Sequence, residues 1–497
     1  MNKLKIDLGK SKGTINPNIY GHFSEHIGGV FYDGLWVGED SSVPNIRGFR
    51  KSLVESFKKI APPVLRWPGG CFAETYDWRD GIGPRDKRPT RVNWWYTCDG
   101  RLESNQVGTH EFMDFCNLVG AKPYFAANMT SVTPMHIRNW IEYCNFPSGT
   151  TLSDERIKNG AKEPFDIEYW GIGNENWGGG GQMEPEQYAR EFLRFTAVCK
   201  PVSNENMKFI MCGPNGDDSH WTRGVMKTYF ARNWHEINAY GMSIHYYNSA
   251  LSGDDDFEFD TDGWYDEIFR ADHIKDVLDN QRGVMDEYDT ERKIKMIVDE
   301  WGNWHKPNSG PSKGYNLFEQ QSSMRDAVVA ALELNIFNDR CDYIDMCNLA
   351  QLCNNLHSIY LAGGDNFVET PNYHVFDMYQ EHKGAKQVFA KADCGELERK
   401  GFNNIDRLSV SASVKDGRLN VTIANLDLEN SIEVTPEIVG GAIASKAAVK
   451  ELYYPDANAC NTFEEPEKIV PVSAEKDISN GIIIKPASVT LISVELK

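Results

Sequence analysis

The hydrophobic rhythm of this 497-residue chain changes once, near residue 385. Before that point, short apolar runs alternate with longer stretches whose apolar positions recur at helical spacing. Residues 19–25, 64–67, 122–127, 165–170, 208–212, 241–247, 295–298 and 342–349 are runs of strand length. Most are stopped by Gly, Pro, Asn or charged residues. Helical spacing predicts helices over 52–60, 110–119, 133–143, 184–199, about 263–287 and 323–338. Thr133 is a natural N-cap, and Pro134 and Pro185 suit a first helical turn. Eight strands mostly separated by helices predict an α/β fold, a (β/α)8 TIM barrel over residues 17–385. Beyond it, residues 408–414, 418–425, 431–439, 448–454 and 482–494 read as short strands between Gly, Asp and Asn turns. That pattern predicts a second, all-β sandwich or jelly roll over 386–497. The loosely alternating stretch 2–7 precedes the barrel and can pair into that domain, bringing residues 1–16 with it.

In a barrel of parallel strands, chemistry is done where the strands end. Two strand ends here share one grammar. Tyr169-Trp170-Gly171-Ile172-Gly173-Asn174-Glu175-Asn176-Trp177 runs out into Gly178-Gly179-Gly180-Gly181, and Lys295-Met296-Ile297-Val298 runs out into Asp299-Glu300-Trp301-Gly302. A lone loop glutamate is ordinarily just solvated. Two in matching contexts, each close to a tryptophan, point to acid/base and nucleophilic work on a sugar. The glycine run lacks the Lys-Ser/Thr of a phosphate-binding loop and reads as a flexible loop.

Other residues fall at strand ends too. Arg66 points toward a barrel interior and needs a carboxylate partner there, Glu300 or Glu25. Cys71 has no paired histidine and reads as a small site-lining residue. His22-Phe23-Ser24-Glu25-His26 matches H-x-x-E-H, but metal binding by that pattern needs a helix, and this stretch continues a strand. Glu25 is therefore expected to accept hydrogen bonds from substrate hydroxyls. His245 and Tyr247 are two apart on one strand and share a face. If that face is inward, Tyr247 can donate its hydroxyl to the Glu300 carboxylate; if outward, both lie under helices. A polar loop with Gly253-Asp254-Asp255-Asp256 follows.

Charge narrows the partners. A formal net charge of −20 argues against nucleic acid and anionic membrane surfaces, and leaves neutral polysaccharides open. No apolar run reaches the length of about 18 residues needed to span a membrane. Met1 to Asp7 leads into no apolar signal region. The eleven cysteines are odd in number, scattered, and lack a C-x-x-C pair, which fits reduced thiols in a cytoplasm.

Tyr20-Gly21-His22-Phe23-Ser24-Glu25-His26, Arg66-Trp67-Pro68-Gly69-Gly70, Gly173-Asn174-Glu175-Asn176-Trp177-Gly178 and Asp299-Glu300-Trp301-Gly302-Asn303-Trp304 together resemble glycoside hydrolase family 51 of clan A, the α-L-arabinofuranosidases. Ala350-Gln351-Leu352-Cys353-Asn354 and Asn461-Thr462-Phe463-Glu464 carry the resemblance toward the C-terminus. It implies Glu175 as general acid/base, Glu300 as nucleophile and Asn174 on the sugar 2-hydroxyl. Glu25 and Gln351 match sugar-binding positions, and Trp304 one that shapes substrate recognition. The H-x-Y strand of the family falls on His245 and Tyr247, with Tyr246 as the competing register. Cys71 stands where some members carry Asn. The resemblance implies a retaining, exo-acting enzyme on arabinoxylan- or arabinan-derived oligosaccharides. It implies no cofactor and no metal, a cytoplasmic location and a homo-oligomer, often a hexamer. Another clan A retaining glycosidase, such as an endo-glucanase or xylosidase, would use the same carboxylates. A carbohydrate-binding protein without catalysis would have no reason to keep both.

Overall fold

The computed structural model describes residues 2–231, 238–248, 258–306, 310–312 and 315–497. The loop with Gly253-Asp254-Asp255-Asp256 lies outside the described residues. After an N-terminal strand β1 (Asn2–Asp7) come eight strands: β2 (Gly21–Phe23), β3 (Val64–Trp67), β4 (Lys122–Ala127), β5 (Tyr169–Ile172), β6 (Lys208–Met211), β7 (Ala239–Tyr247), β8 (Lys295–Gly302) and β9 (Ile344–Ala350). They form a closed barrel in chain order. The pairings from β2 through to β7 are all parallel. Every residue of β3 and of β5 is buried. A parallel sheet covered on both faces shows this as continuous apolar runs, which is how these strands read in the sequence.

Helices follow the strands. Four of them among the described residues were not predicted: Tyr96–Asp99, Thr151–Lys158, Ser219–Phe230 and Pro371–Met378. Ser219–Phe230 buries Trp221, Val225 and Tyr229 four residues apart, and Asp218 caps it by accepting from His220 N and Trp221 N. Its Gly, Thr and aromatic content hides that spacing from propensity. Two strand predictions need correction. Residues 17–20 form a 3-10 turn rather than strand, with Ile19 N bonded to Asn16 O and Asn18 N to the Asn16 side chain, so β2 is only three residues long. Residues 165–168 are not strand either. Phe165 N is taken by Cys144 O and Ile167 N by the Asn145 side chain, which leaves β5 to begin at Tyr169.

The chain packs as two compact units. One comprises Gly21–Tyr246 and Val277–Glu300, and so holds β2 to β6, β7 up to Tyr246 and β8 up to Glu300. The other comprises Met1–Tyr20, Tyr247–Asp276 and Trp301–Lys497. It holds β9 and a nine-stranded sheet built from β1 with β10 (Lys386–Asp393), β11 (Leu408–Lys415), β12 (Arg418–Asn425), β13 (Ile432–Val439), β14 (Lys446–Leu452), β15 (Val472–Asp477), β16 (Ile482–Ile484) and β17 (Ser488–Glu495). The strand order is β15-β14-β17-β12-β11-β10-β1-β13-β16.

The sheet folds over itself at β10. Its first residues, Lys386 to Val388, pair with β11, and Phe389 to Asp393 pair with β1. Apolar residues from the two halves then meet in one core, with Leu4, Ile6 and Val434 from one side and Val421, Ile423 and Ile492 from the other. That is a sandwich. β1 belongs to it, antiparallel to β10 and parallel to β13. The predicted strand over 482–494 is two strands, because Ala487 takes a positive φ of 45° between β16 and β17.

Candidate active site

The site is built within the unit that holds β2 to β6. Arg66 lies on β3, 1% exposed. Its Nη1 donates to Glu300 Oε1 at 2.8 Å and its Nη2 to Asn174 Oδ1 at 2.7 Å. Its Nε stands 3.7 Å from Asp299 Oδ2, which also accepts from the Tyr124 hydroxyl at 2.8 Å. Glu300, not Glu25, is therefore the partner the buried arginine requires, and Asn174 shares the guanidinium fork. Burial alone would lower the Arg66 pKa, but Asp299 and Glu300 outweigh it and raise it, so the group stays charged. Burial likewise raises the Asp299 carboxyl, against the pull of Arg66.

Glu175 follows β5 and Glu300 lies on β8, the fourth and seventh strands of the barrel. One carboxylate oxygen of each, together with a ring nitrogen of His245, lie within 4.8 Å of one another. His245 Nδ1 is 3.0 Å from Glu175 Oε1 and 3.5 Å from Glu300 Oε2. Burial lowers the His245 pKa, but Glu300 and Glu175 more than reverse this, and the ring favours its proton. The Glu175 side chain is 21% exposed against 8% for Glu300. The Cys71 thiol lies 3.6 Å from Glu175 Oε2, and burial followed by the nearby carboxylates pushes its pKa far up, so it is a donor and not a thiolate. The structure thus places Cys71 beside Glu175.

Glu25 Oε1 accepts from Phe72 N at 2.9 Å and from Trp95 Nε1 at 3.1 Å. Burial, then repulsion from Glu300, raises its pKa to about 7. Gly69 and Gly70 explain how the backbone comes so close to these acids. A Cβ on Gly69 would stand 2.7 Å from Glu25 Cγ, and one on Gly70 2.9 Å from Glu300 Oε1. Tyr247 and Trp304 lie in the other unit, ring to ring at 5.0 Å, with Phe318 4.9 Å from Trp304. Gln351 follows β9, buried, its N bonded to Asn355 O.

The second histidine of H-x-x-E-H is occupied by structure. His26 Nε2 accepts from Trp67 Nε1 at 3.0 Å, so Nδ1 carries the proton and faces Glu103 at 3.0 Å. Among the described residues, the His/Cys/Asp/Glu group compact enough to hold a cation is Glu175, His245 and Glu300, where Arg66 already supplies positive charge.

The glycine run is not loose. Gly178 N and Gly180 N both donate to Glu175 O, and Gly180 O accepts from Asn176 Nδ2 and Thr130 Oγ1. A Cβ on Gly180 would stand 1.8 Å from Asn174 O, so only glycine fits there. Glu175 itself has a φ of 45°. A non-glycine residue in that left-handed region costs about 1–3 kcal/mol and persists only where its surroundings over-determine it. Two residues at this site carried no sequence signal. Trp95 holds Glu25, and Glu74 holds the Asn174–Asn176 turn through Asn174 N and Asn176 Nδ2. Trp95 sits on a loop and Glu74 in the short 3-10 turn Cys71–Thr75, neither long enough to show periodicity.

With this geometry in hand, the comparisons with known proteins agree. Residues 56–264 match the family model described as alpha-L-arabinofuranosidase 1 domain, and residues 299–488 that of the alpha-L-arabinofuranosidase C-terminal domain. An intracellular exo-alpha-L-arabinofuranosidase from Bacteroides ovatus is 35% identical, covering 99% of this chain and 95% of its own. The crystal structure of a GH51 arabinofuranosidase from Xanthomonas axonopodis pv. citri superposes with a TM-score of 0.91 at 33% identity, covering 100% of both chains. That of the Thermotoga maritima α-L-arabinofuranosidase in complex with arabinose gives 0.88 at 30% identity, again over 100% of both. A bifunctional glucanase-xylanase at 14% identity and a TM-score of 0.61 shares the fold alone. The chain belongs to glycoside hydrolase family 51, the α-L-arabinofuranosidases.

Proposed function

We propose that the enzyme releases terminal α-L-arabinofuranosyl groups from the non-reducing ends of arabinoxylan- or arabinan-derived oligosaccharides, with retention of configuration. The observation that carries retention is the carboxylate separation. Oxygens of Glu175 and Glu300 lie within 4.8 Å of each other. Retaining glycosidases place their carboxyl groups about 5–5.5 Å apart, inverting ones about 6.5–9.5 Å. That closeness supports the retaining arrangement over the inverting one.

The surroundings support a division of labour. Glu300 is buried and bound to Arg66, which keeps it anionic and aimed, as a nucleophile must be. Glu175 is the more open group, at a turn, beside a thiol donor. In the first step a Glu300 oxygen bonds to the anomeric carbon. The bond to the leaving oxygen breaks with its electron pair, and that oxygen takes the proton of Glu175. In the second step Glu175 removes a proton from water, the water oxygen bonds to the anomeric carbon, and the ester electrons return to Glu300. Asn174, oriented by Arg66, is placed to bind the sugar 2-hydroxyl. Glu25 and Gln351 would bind further hydroxyls, and Trp304 would shape substrate recognition. This chemistry asks for no cofactor. The free state of all eleven thiols and the relative described as intracellular support cytoplasmic action. The family resemblance supports a homo-oligomer, which analytical ultracentrifugation tests.

The deciding experiment uses an aryl α-L-arabinofuranoside and azide. Glu175→Ala should still be glycosylated by a substrate with an acidic phenol, show a burst, and be rescued by azide to an α-arabinosyl azide. Glu300→Ala should be inactive on every substrate, and azide should give the β-azide. Swapped products would exchange the two roles, and full activity in both variants would place the site elsewhere.

A further inference from the structure

Glu74 belongs to the 3-10 turn Cys71–Thr75 that follows β3, and it is fully buried. Its carboxylate receives four donors. Oε2 accepts from Met129 N and Thr130 N, each at 2.8 Å, and Oε1 accepts from Asn174 N at 2.6 Å and Asn176 Nδ2 at 3.1 Å. An ionised carboxylate offers about four lone-pair directions, so all are used. A protonated carboxyl would turn an O–H against one of those donors. Burial raises the Glu74 pKa, and the donors from Met129, Thr130 and Asn174 oppose that rise. The group therefore ties together three strand-end loops, those after β3, β4 and β5. None of the chemical steps above uses it.

What it grips is telling. Asn174 and Asn176 flank Glu175, whose backbone is held at a φ of 45°. The same Asn176 Nδ2 donates to Gly180 O at 2.6 Å, which closes the glycine turn onto Asn174 and Glu175. A strained residue stays where it is only if its neighbours are fixed, and these two neighbours are fixed by one carboxylate.

We infer that Glu74 is a positioning residue for the acid/base: its four-donor carboxylate holds the Asn174–Glu175–Asn176 turn so that the Glu175 carboxyl meets the leaving oxygen. The inference rests on the reading of Glu175 as acid/base. Displacement of a reacting group by about 1 Å can cost about 100-fold in rate. The loss should appear only where the proton matters.

The test compares kcat/KM on two substrates, an aryl α-L-arabinofuranoside with an acidic phenol and an arabino-oligosaccharide with a poor leaving group. In Glu74→Gln the amide turns its NH2 against two of the four donors. The oligosaccharide should lose about 10- to 100-fold more than the aryl substrate. In a Glu175→Ala background, Glu74→Gln should add little further loss on the oligosaccharide. If Glu74→Gln does not fold, Asn176→Ala removes one donor to Glu74 and should show the same substrate dependence in smaller degree. A purely structural Glu74 would lower both substrates by the same factor through loss of active enzyme, with an unchanged ratio, and that result overturns the inference. If Glu175→Ala itself shows no leaving-group dependence, the acid/base reading fails instead, so the two failures are distinguishable.

Discussion

Replacing Arg66 with methionine should move the acid limb of the pH–activity profile. The side chain is of similar length and apolar, so the change removes a charge rather than a volume. In the parent protein Arg66 sits 2.8 Å from Glu300 Oε1 and 3.7 Å from Asp299 Oδ2, 1% exposed. Glu300 and Asp299 raise the Arg66 pKa, and by reciprocity Arg66 favours the ionised forms of both. Two unit charges about 4 Å apart interact by about 4 kcal/mol at an effective dielectric constant near 20. At 1.36 kcal/mol per unit that is about 3 pH units. Carboxylates beside an arginine are commonly shifted by about 1–3 units.

The sign follows from which form works. The nucleophile must be ionised. Without Arg66, Glu300 keeps its proton to a higher pH, so activity is lost sooner as pH falls, and the acid limb of kcat/KM moves up by about 1–3 units. The limb is a position on the pH axis and does not depend on how much enzyme is folded. This matters because removing one partner of a buried ion pair also destabilises by about 3–5 kcal/mol. Arg66→Lys should shift the limb less, since it keeps a charge, yet it loses the fork that also holds Asn174. The assay is initial rate on an aryl arabinofuranoside from acid to neutral pH, with circular dichroism at each pH. A uniform loss of activity with the acid limb unmoved would refute the reasoning, because Glu300 would then not depend on Arg66 for its charge.

Three further outcomes are expected. Glu25 has its pKa raised to about 7 by burial and by Glu300; a raised acid binds more protons folded than unfolded, so its penalty is absent below pH 4.5 and complete above 7. Glu25→Gln should therefore raise stability in urea at pH 8 by up to about 3 kcal/mol, with little change at pH 4.5, while KM rises; a stability gain equal at both pH values would contradict this. Asp326 accepts from Asn303 Nδ2 and His305 Nε2, the residues on either side of Trp304, and from Ser323 N. Burial alone would raise its pKa, but His305 and its other neighbours hold it well below the usual range. Its stabilisation is thus present above about pH 3.9 and lost only as pH falls further, so Asp326→Asn should cost about 3–5 kcal/mol at pH 7 and raise KM for oligosaccharides; wild-type melts would contradict it. Extended treatment with a chelator should leave activity unchanged, and a loss that zinc restores would point to a cation at Glu175, His245 and Glu300.

What the sequence shows of this protein follows the physics of each element. β3 and β4 are read correctly to the residue because β3 is buried throughout, β4 is buried from Tyr124 on, and Pro, Gly or Asn bounds them. Glu175 is legible because its strand end leaves a mark, an apolar run followed by glycines no strand keeps, whereas β8 runs on through Glu300 to Gly302, past the predicted end at Val298. The partner of Arg66 is narrowed to two acids by the need to neutralise it, but choosing Glu300 over Glu25 takes coordinates. β10 escapes because it changes partners midway, from β11 to β1, and so has no single alternating face. β15 escapes because it is an edge strand, VSAEKD, exposed along nearly its whole length. Trp95 and Glu74 escape for a different reason. Trp95 reaches a carboxylate 70 residues away and Glu74 takes donors 55 to 102 residues away, and nothing local says which loop will fold back on which carboxylate.

The distances around His245 explain why one ring stands between both acids. Before the first step Glu300 is charged and Glu175 carries a proton; after it Glu300 is an ester and Glu175 is charged. The pair holds one negative charge throughout, and that charge moves by less than about 5 Å. His245 Nδ1, 3.0 Å from Glu175 and 3.5 Å from Glu300, faces the charge in either place. Of the two acids Arg66 bonds Glu300, and so favours the state before attack. The Cys71 thiol lies beside only Glu175 and can donate to it in the state after. A fixed dipole set that suits both ends of a charge transfer needs little reorganisation between them, which is where most of the stabilisation in a preorganised site is found. On this reasoning His245→Gln, which keeps a donor but loses the charge, should slow both steps, whereas Cys71→Ala should slow chiefly the second. Burst kinetics on an aryl arabinofuranoside separate the two: Cys71→Ala should accumulate the intermediate and His245→Gln should not. The opposite pattern would mean that the thiol, and not the imidazole, follows the charge.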